Sequence, residues 1–335
     1  MKQKVSVILL VALALSLFGC GAAPTAPTAA PTTEATAPKP TVSEEPSMLN
    51  GKKILFIGNS YTYYGKTVTE KKQTVLWQAD RSNDKGYFYQ LCKERGAQVE
   101  VTNWTFGGHT LDDLFTECAA NRGCDGEHHL EHLIDRNFDY VVLQEAGNSR
   151  VENLSADELV AKCDSIMAIF REANPDVKFV FLVQHMVHKK QSPWLAAMKM
   201  LDEKGVIIAD WGKLVWDVMN RTVPVPGAEQ YYDQNSFIVC KSATDGYHPN
   251  MLPGYITTLM TYCAITGESA QGQPYDFCGN PGVNSKFNFD KFIQTYYTYN
   301  NGTTNFPAIF KSEADMLGLQ QLIDQYLAEK PYLNY

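Results

Sequence analysis

Four successive apolar residues, Ile54 to Ile57, run without polar interruption and stop at Gly58-Asn59-Ser60. A strand that is apolar at every position shows hydrophobic side chains on both faces, so it belongs in a parallel sheet covered on two sides. Gly58 can take a tight or left-handed turn, and Asn59 can hydrogen-bond neighbouring backbone. The chain thus delivers Ser60 at the C-terminal edge of a strand, where open α/β sheets place ligands. For an isolated Asn-Ser, capping of a following helix is the simpler reading.

Further strands are expected at Gln98–Asn103, Tyr140–Leu143, Phe179–Val183 and Val206–Ala209. Between them lie helical stretches: Tyr87–Arg95 closed by Gly96, Thr110–Phe115, Glu127–Asp135, and Trp194–Lys204 closed by Gly205. Ser155 can cap a helix running to Ala173, with Leu159, Cys163, Ile166, Met167 and Phe170 on one stripe. Strand and helix alternate. That order predicts an α/β fold, a single three-layer α/β/α domain around a central, mainly parallel five-stranded sheet.

A serine hydroxyl becomes a useful nucleophile when a base takes its proton and a third group orients that base. Asp245-Gly246-Tyr247-His248-Pro249 offers such a pair within one loop, followed by a closing helix at Pro253–Thr266. A lone Asp-x-x-His is weak evidence, because such pairs are common in surface loops. Combined with the strand-ending Gly-Asn-Ser it carries more weight.

In chain order, four blocks resemble those of the SGNH hydrolases, the GDSL-type esterase superfamily with a flavodoxin-like sheet. Gly58-Asn59-Ser60-Tyr61-Thr62 is similar to the nucleophile block, and Asn103 to Gly108 to the second. Asp139 to Asn148 follows the third block's strand into Gly-x-Asn, and Asp245 to Pro249 matches the last. Two positions depart from the pattern: Asn59 stands in place of Asp, and Ser149 in place of Asp. The resemblance implies Ser60 as nucleophile, His248 as base and Asp245 as its orienting group. It further implies an oxyanion hole from the N–H groups of Ser60 and Gly108 and from the Asn148 side chain. Gln144, at the strand end, is the alternative donor. The chemistry implied is ester hydrolysis with no cofactor and no metal. Acyl transfer to a glycan hydroxyl, and glycan binding without catalysis, are the competing functions.

The N-terminus reads differently. Lys2 and Lys4 precede an apolar run from Val5 to Phe18, and Gly19-Cys20 follows. This is the pattern of a secretory signal. A cysteine at that point resembles a bacterial lipobox, so residues 1–20 are expected to be a lipoprotein leader with Cys20 lipidated and facing outside the cytoplasm. Simple secretion is the alternative. Residues 21–48, almost all Ala, Pro, Thr, Ser and Glu, are expected to be a disordered tether. The hydrolase domain would then span 49–266, with 267–335 as a C-terminal extension packed on it. In that extension Phe287–Phe310 is dense in Tyr, Phe and Asn, which suits packing or sugar stacking, and Ser312–Glu329 reads as an amphipathic helix. Residues 221–244 form a long connection suited to a functional rim.

A formal charge of −8 disfavours nucleic acid and acidic surfaces as partners. The substrate that the resemblance and the leader imply is a small-molecule or glycan ester. Of the eight cysteines, Cys118 with Cys124 and then Cys263 with Cys278 are the candidate disulfide pairs. His128 and His132 are spaced to share a helix face, as metal ligands could be, but the pair is read as a polar face.

Overall fold

The computed structural model describes residues 47–63, 86–106, 108–114, 130, 133, 135–147, 149–228, 232, 249, 251–275, 297–299, 304–306 and 313–335. Five strands build the main sheet: β1 (Lys53–Gly58), β2 (Glu100–Thr105), β3 (Tyr140–Leu143), β4 (Lys178–Leu182) and β5 (Ile207–Ala209). Their order is β2-β1-β3-β4-β5, and every adjacent pair is parallel. The chain leaves β1 towards one edge of the sheet and returns to build the other side from β3 onwards. The crevice between the C-terminal ends of β1 and β3 is therefore the topological switch point, the position at which such sheets bind ligands.

Strand alternation splits the core into two faces. Ile54, Phe56, Tyr140, Val142, Val180 and Leu182 point to one, and Leu55, Ile57, Val141, Leu143, Phe179 and Phe181 to the other. The first face is covered by α2 (Tyr87–Glu94), α6 (Trp211–Met219), α7 (Met251–Thr266) and α8 (Glu313–Glu329). The second is covered by α3 (Ala156–Ala173) and α5 (Ala197–Glu203), with Trp194 wholly buried beside them. This is the expected three-layer arrangement.

Helix α3 begins as its sequence predicts. Ser155 accepts from the Glu158 N–H at 3.3 Å, and the Glu158 carboxylate accepts from the Ser155 N–H at 2.8 Å, which completes a capping box. The stripe Leu159, Cys163, Ile166, Met167 and Phe170 is buried. Two expectations differ in detail. Within the described residues the expected helix after β2 is a 3₁₀ turn over Asp112–Leu114, and Pro193–Ala196 is a 3₁₀ turn ahead of α5. Helices α4 (His185–Lys190) and α6 carry no separate expectation in the sequence reading. Near the C-terminus β6 (Tyr297–Tyr299) and β7 (Thr304–Phe306) form an antiparallel pair within the aromatic segment.

Helix α8 belongs to the core of the first face through Met316, Leu319, Leu322, Ile323 and Tyr326. Polar bonds fix its rotation: Gln320 Nε2 donates to Tyr255 Oη at 2.9 Å, and Tyr326 Oη donates to Asp217 at 2.5 Å. Cys263 corrects one sequence expectation. It is a free, buried thiol on α7, so it does not pair with Cys278, and burial pushes its thiol well above the usual range. Its side chain is packed into the core of the first face instead. Cys118 and Cys124, and the His128 and His132 pair, lie outside the described residues. Among the described residues no helix is long and apolar enough to cross a membrane.

Candidate active site

Ser60 opens the four-residue helix α1 (Ser60–Tyr63), two residues beyond the end of β1 at Gly58. It is half-buried, at the switch point. Gly58 is required here for room rather than for backbone freedom. Its φ is not positive, but a Cβ on it would stand 2.7 Å from Thr62 Oγ1 and 3.0 Å from Gln144 Oε1.

Asn59 ties this turn to its neighbours with three groups. Its Nδ2 donates to the His109 carbonyl at 2.8 Å, its Oδ1 accepts from Tyr61 N–H at 3.2 Å, and its own N–H donates to Gln144 Oε1 at 3.2 Å. The first of these needs a donor, which an ionised aspartate does not have. Asn rather than Asp at position 59 therefore has a local physical reason in this chain.

Gln144, the residue after β3, is buried and occupied at both ends. Its Oε1 accepts from Asn59 N–H and from Thr62 Oγ1 at 3.0 Å, and its Nε2 donates to the Glu145 carbonyl. Gln144 N–H also donates to the Ile57 carbonyl at 2.9 Å, which extends the β1–β3 ladder to the edge of the site. Gly108 follows β2 on an exposed loop with φ +75°, a left-handed conformation that glycine adopts without strain. That loop is anchored to the nucleophile turn by Phe106 N–H donating to the Gly58 carbonyl at 3.0 Å. Ser60, Gly108 and Gln144 are thus brought to one edge of the sheet. Asp245, His248, Asn148 and Cys20 lie outside the described residues.

Several neighbours were not singled out from the sequence. Asp113 takes the Thr110 N–H at 2.8 Å and pairs with both terminal nitrogens of Arg150 at 2.6 and 2.7 Å. Burial would raise the Asp113 carboxyl, but the guanidinium and the Thr110 N–H outweigh it and hold the group down at about 2. His185, at the start of α4, packs edge-on against Tyr61 at 5.9 Å and tilted against Trp211 at 5.7 Å. Glu145 is wholly buried. Neither a buried carboxylate nor a loop-to-loop ion pair leaves a periodic trace in sequence.

A second His–Asp pair invites comparison. His188 Nε2 meets Asp210 Oδ1 at 2.8 Å, beside a cavity of about 400 Å³ that Ser192 also lines. Ser192 Oγ is buried and makes no hydrogen bond, so His188 does not activate it. Asp210 is meanwhile engaged as the N-cap of α6, accepting from Lys213 N–H at 2.9 Å, and as acceptor for Tyr335 Oη at 2.5 Å. That pair is structural. No group of three or more His, Cys, Asp or Glu residues is placed to hold a metal ion among the described residues.

Fold and site together define an α/β protein with a strand-to-helix serine at the switch point of a five-stranded parallel sheet. No protein-family model matches the sequence, and the comparison with curated proteins gives no match. Among solved structures the chain is similar to a catalytic mutant of an acetylxylan esterase from Geobacillus stearothermophilus, with 16% identity and a TM-score of 0.42 over 72% of this chain and 100% of that one. It is similar to an alpha/beta hydrolase from the metagenome of Lake Arreo, with 16% identity and a TM-score of 0.41 over 65% of this chain and 96% of that one. A Slackia heliotrinireducens protein described as a candidate SGNH hydrolase gives 18% identity and a TM-score of 0.38 over 65% of this chain and 100% of that one.

Proposed function

We propose that the chain is a serine ester hydrolase of SGNH type acting on O-acyl, chiefly O-acetyl, esters of carbohydrate. The observation that carries this reading is the position of Ser60, delivered by β1 to the switch point and braced there through Asn59 and Gln144. Ser60 Oγ attacks the acyl carbonyl while His248 takes its proton, and Asp245 holds the imidazole in the required tautomer. The carbonyl oxygen, now carrying the charge, is met by the N–H groups of Ser60 and Gly108 and by the Asn148 amide. Collapse of that intermediate breaks the ester bond, and His248 returns the proton to the departing alcohol. Water then attacks the acyl-serine by the same path and frees the acid. The bonds already made by Gln144 support a role in holding the nucleophile turn, leaving the donor role to Asn148.

The carbohydrate part of the reading rests on the leader and tether at residues 1–48 and on analogy with the family. An enzyme anchored through Cys20 outside the cytoplasm meets acylated glycans there. The test is labelling of Ser60 by a fluorophosphonate probe, run beside turnover of acetylated oligosaccharides and of short and long p-nitrophenyl esters. Labelling that survives Ser60→Ala would refute the nucleophile. Long-chain esters cleaved in preference to acetyl esters would refute the substrate class.

A further inference from the structure

The segment 108–114 carries Gly108, a proposed oxyanion donor, and its one regular element is the 3₁₀ turn at Asp112–Leu114. Side chains from elsewhere fix it in place. Asn59 holds the His109 carbonyl at one end, and Glu145 takes the Leu111 N–H at 3.1 Å in the middle. At the far end Asp113 is buried, and its carboxylate takes three donors. Oδ2 accepts from Thr110 N–H at 2.8 Å and from Arg150 Nη1 at 2.6 Å, while Oδ1 accepts from Arg150 Nη2 at 2.7 Å. Asp113 N–H donates back to the Thr110 carbonyl at 3.2 Å. Asp113 thus closes the turn on itself, and Arg150 ties that closed turn to the loop after β3.

Stability alone does not account for this arrangement. Desolvating a carboxylate costs about what its ion pair returns, and apolar side chains in the same place are often as stabilising. A guanidinium adds geometry. Its two parallel N–H bonds fix both the distance and the in-plane orientation of the carboxylate, which a point charge does not do. An oxyanion donor needs that kind of constraint, because its N–H must stand about 2.7–3.1 Å from an oxygen that is fully charged only in the transition state. Gly108 has no side chain to anchor it, so the residues on either side decide where its N–H stands.

We propose that Arg150 is a positioning residue, whose fork on Asp113 orients the 108–114 segment so that the Gly108 N–H meets the oxyanion formed at Ser60. The catalytic part rests on the serine hydrolase reading; the fork does not. Arg150 acts here through Asp113. Its side chain is about one-third exposed, at 34%, so the space it occupies can be reached from solvent.

The experiment uses the full chain with Arg150→Lys and Arg150→Ala, assayed on p-nitrophenyl acetate well below each melting midpoint. Lysine keeps the charge that Asp113 faces and loses the fork. Arg150→Lys is therefore expected to fold, with kcat lowered about 10-fold or more and KM little changed. Arg150→Ala is expected to lose at least as much. Millimolar guanidinium chloride, far below denaturing levels, is expected to restore part of its kcat, whereas equal urea or sodium chloride is not. Adding Asp113→Asn to Arg150→Ala is expected to abolish that rescue. Native kcat in folded Arg150→Lys overturns the proposal, and so does a defect confined to KM. Rescue by urea, or rescue that persists without the Asp113 carboxylate, overturns it as well. If Arg150→Ala does not fold, Arg150→Lys decides alone. Undiminished turnover in Ser60→Ala would instead refute the hydrolase reading, whereas an inactive Ser60→Ala beside a native-like Arg150→Lys refutes the positioning role only.

Discussion

Asn59 Nδ2 lies 2.8 Å from the carbonyl oxygen of His109, so the turn that presents Ser60 is bonded sideways to the loop that follows β2. This bond has a direction, because the side chain donates and the backbone accepts. Asn59→Asp is expected to reverse what the carbonyl faces, placing a negative charge against it in a buried site. The loss should be about 2 kcal/mol or more, since a buried acceptor left unsatisfied costs about 1–3 kcal/mol and a charge adds to that. Urea unfolding at neutral pH measures it, and an unchanged midpoint would mean that the bond contributes nothing.

Gln144 and Asn148 should separate kinetically. With its oxygen holding Asn59 and Thr62, Gln144→Ala is expected to lower stability more than turnover. Asn148→Ala is expected to lower kcat by ~10²–10³ with little change in KM, as for a donor used mainly in the transition state. Steady-state kinetics on both variants, with melting curves, check the division. The reverse pattern would move the donor role to Gln144.

Gly58→Ala would push a methyl to 2.7 Å from Thr62 Oγ1. Overpacking of this kind typically costs about 1–3 kcal/mol. Removing the obstructing hydroxyl should recover part of it, so a double-mutant cycle with Thr62→Ala is expected to show favourable coupling of about 0.5 kcal/mol or more. Strict additivity in denaturant unfolding would place the strain elsewhere.

Glu145 should also mark the stability–pH curve. Its folded carboxyl is raised to about 7 from 4.5, so the native state holds a proton that the unfolded chain has released. Its contribution is present in full below 4.5 and is lost as pH rises through 7, an order-of-magnitude change of about 3 kcal/mol at 1.36 kcal/mol for each pH unit. Asp113 has the opposite sign, its contribution present above 3.8 and lost as pH falls towards about 2. Subtracting the unfolding free energy of Glu145→Gln from that of the native protein, pH by pH, isolates the Glu145 part. The difference is expected to decline between the two values, and a flat difference would contradict the burial-driven shift.

Cys92, Cys163 and Cys263 are buried and free. They are expected to resist maleimide in the folded protein and to react once it is denatured, as a timed thiol titration with peptide mapping would show. Rapid labelling of Cys263 in the native protein would contradict the packing of α7.

The sheet was legible in the sequence because β1, β3, β4 and β5 are short apolar blocks and β2 shows alternation around Val99 and Val101, and α3 because Ser155 and Glu158 declare its start. Helix α4 was harder. Its six residues, His-Met-Val-His-Lys-Lys, are too few for a 3.6-residue period to declare itself, and its cap is a glutamine, Gln184. For α6 the Asp210 cap was available as a signal, but most of its positions are apolar, which blurs the stripe. Ser60 and Gln144 could be named because each stands just past the end of a strand, and Gly108 because its block resembles a known one. Glu145, Asp113 and Arg150 could not, because their partners are 34 to 37 residues distant and meet them only once the sheet has formed. Gly58 was expected to serve a tight or left-handed turn; its φ is not positive, and what demands glycine there is room. Crowding from Thr62 and Gln144 leaves no mark in a one-dimensional reading.

The two faces of the sheet differ in when they can be completed during synthesis. Among the described residues, those up to Ile208 supply the α3–α5 side except Tyr332 and Tyr335, so that layer can condense while translation continues. The opposite layer waits for α7 and α8, which provide Tyr255, Leu259, Leu319 and Ile323. Until the ribosome has delivered residues beyond 320, Ile54, Phe56, Val142 and Val180 lack part of their cover. A nascent chain stalled near residue 300 should therefore carry one packed layer and one sticky one, and that half-covered sheet is the species a chaperone would be expected to hold.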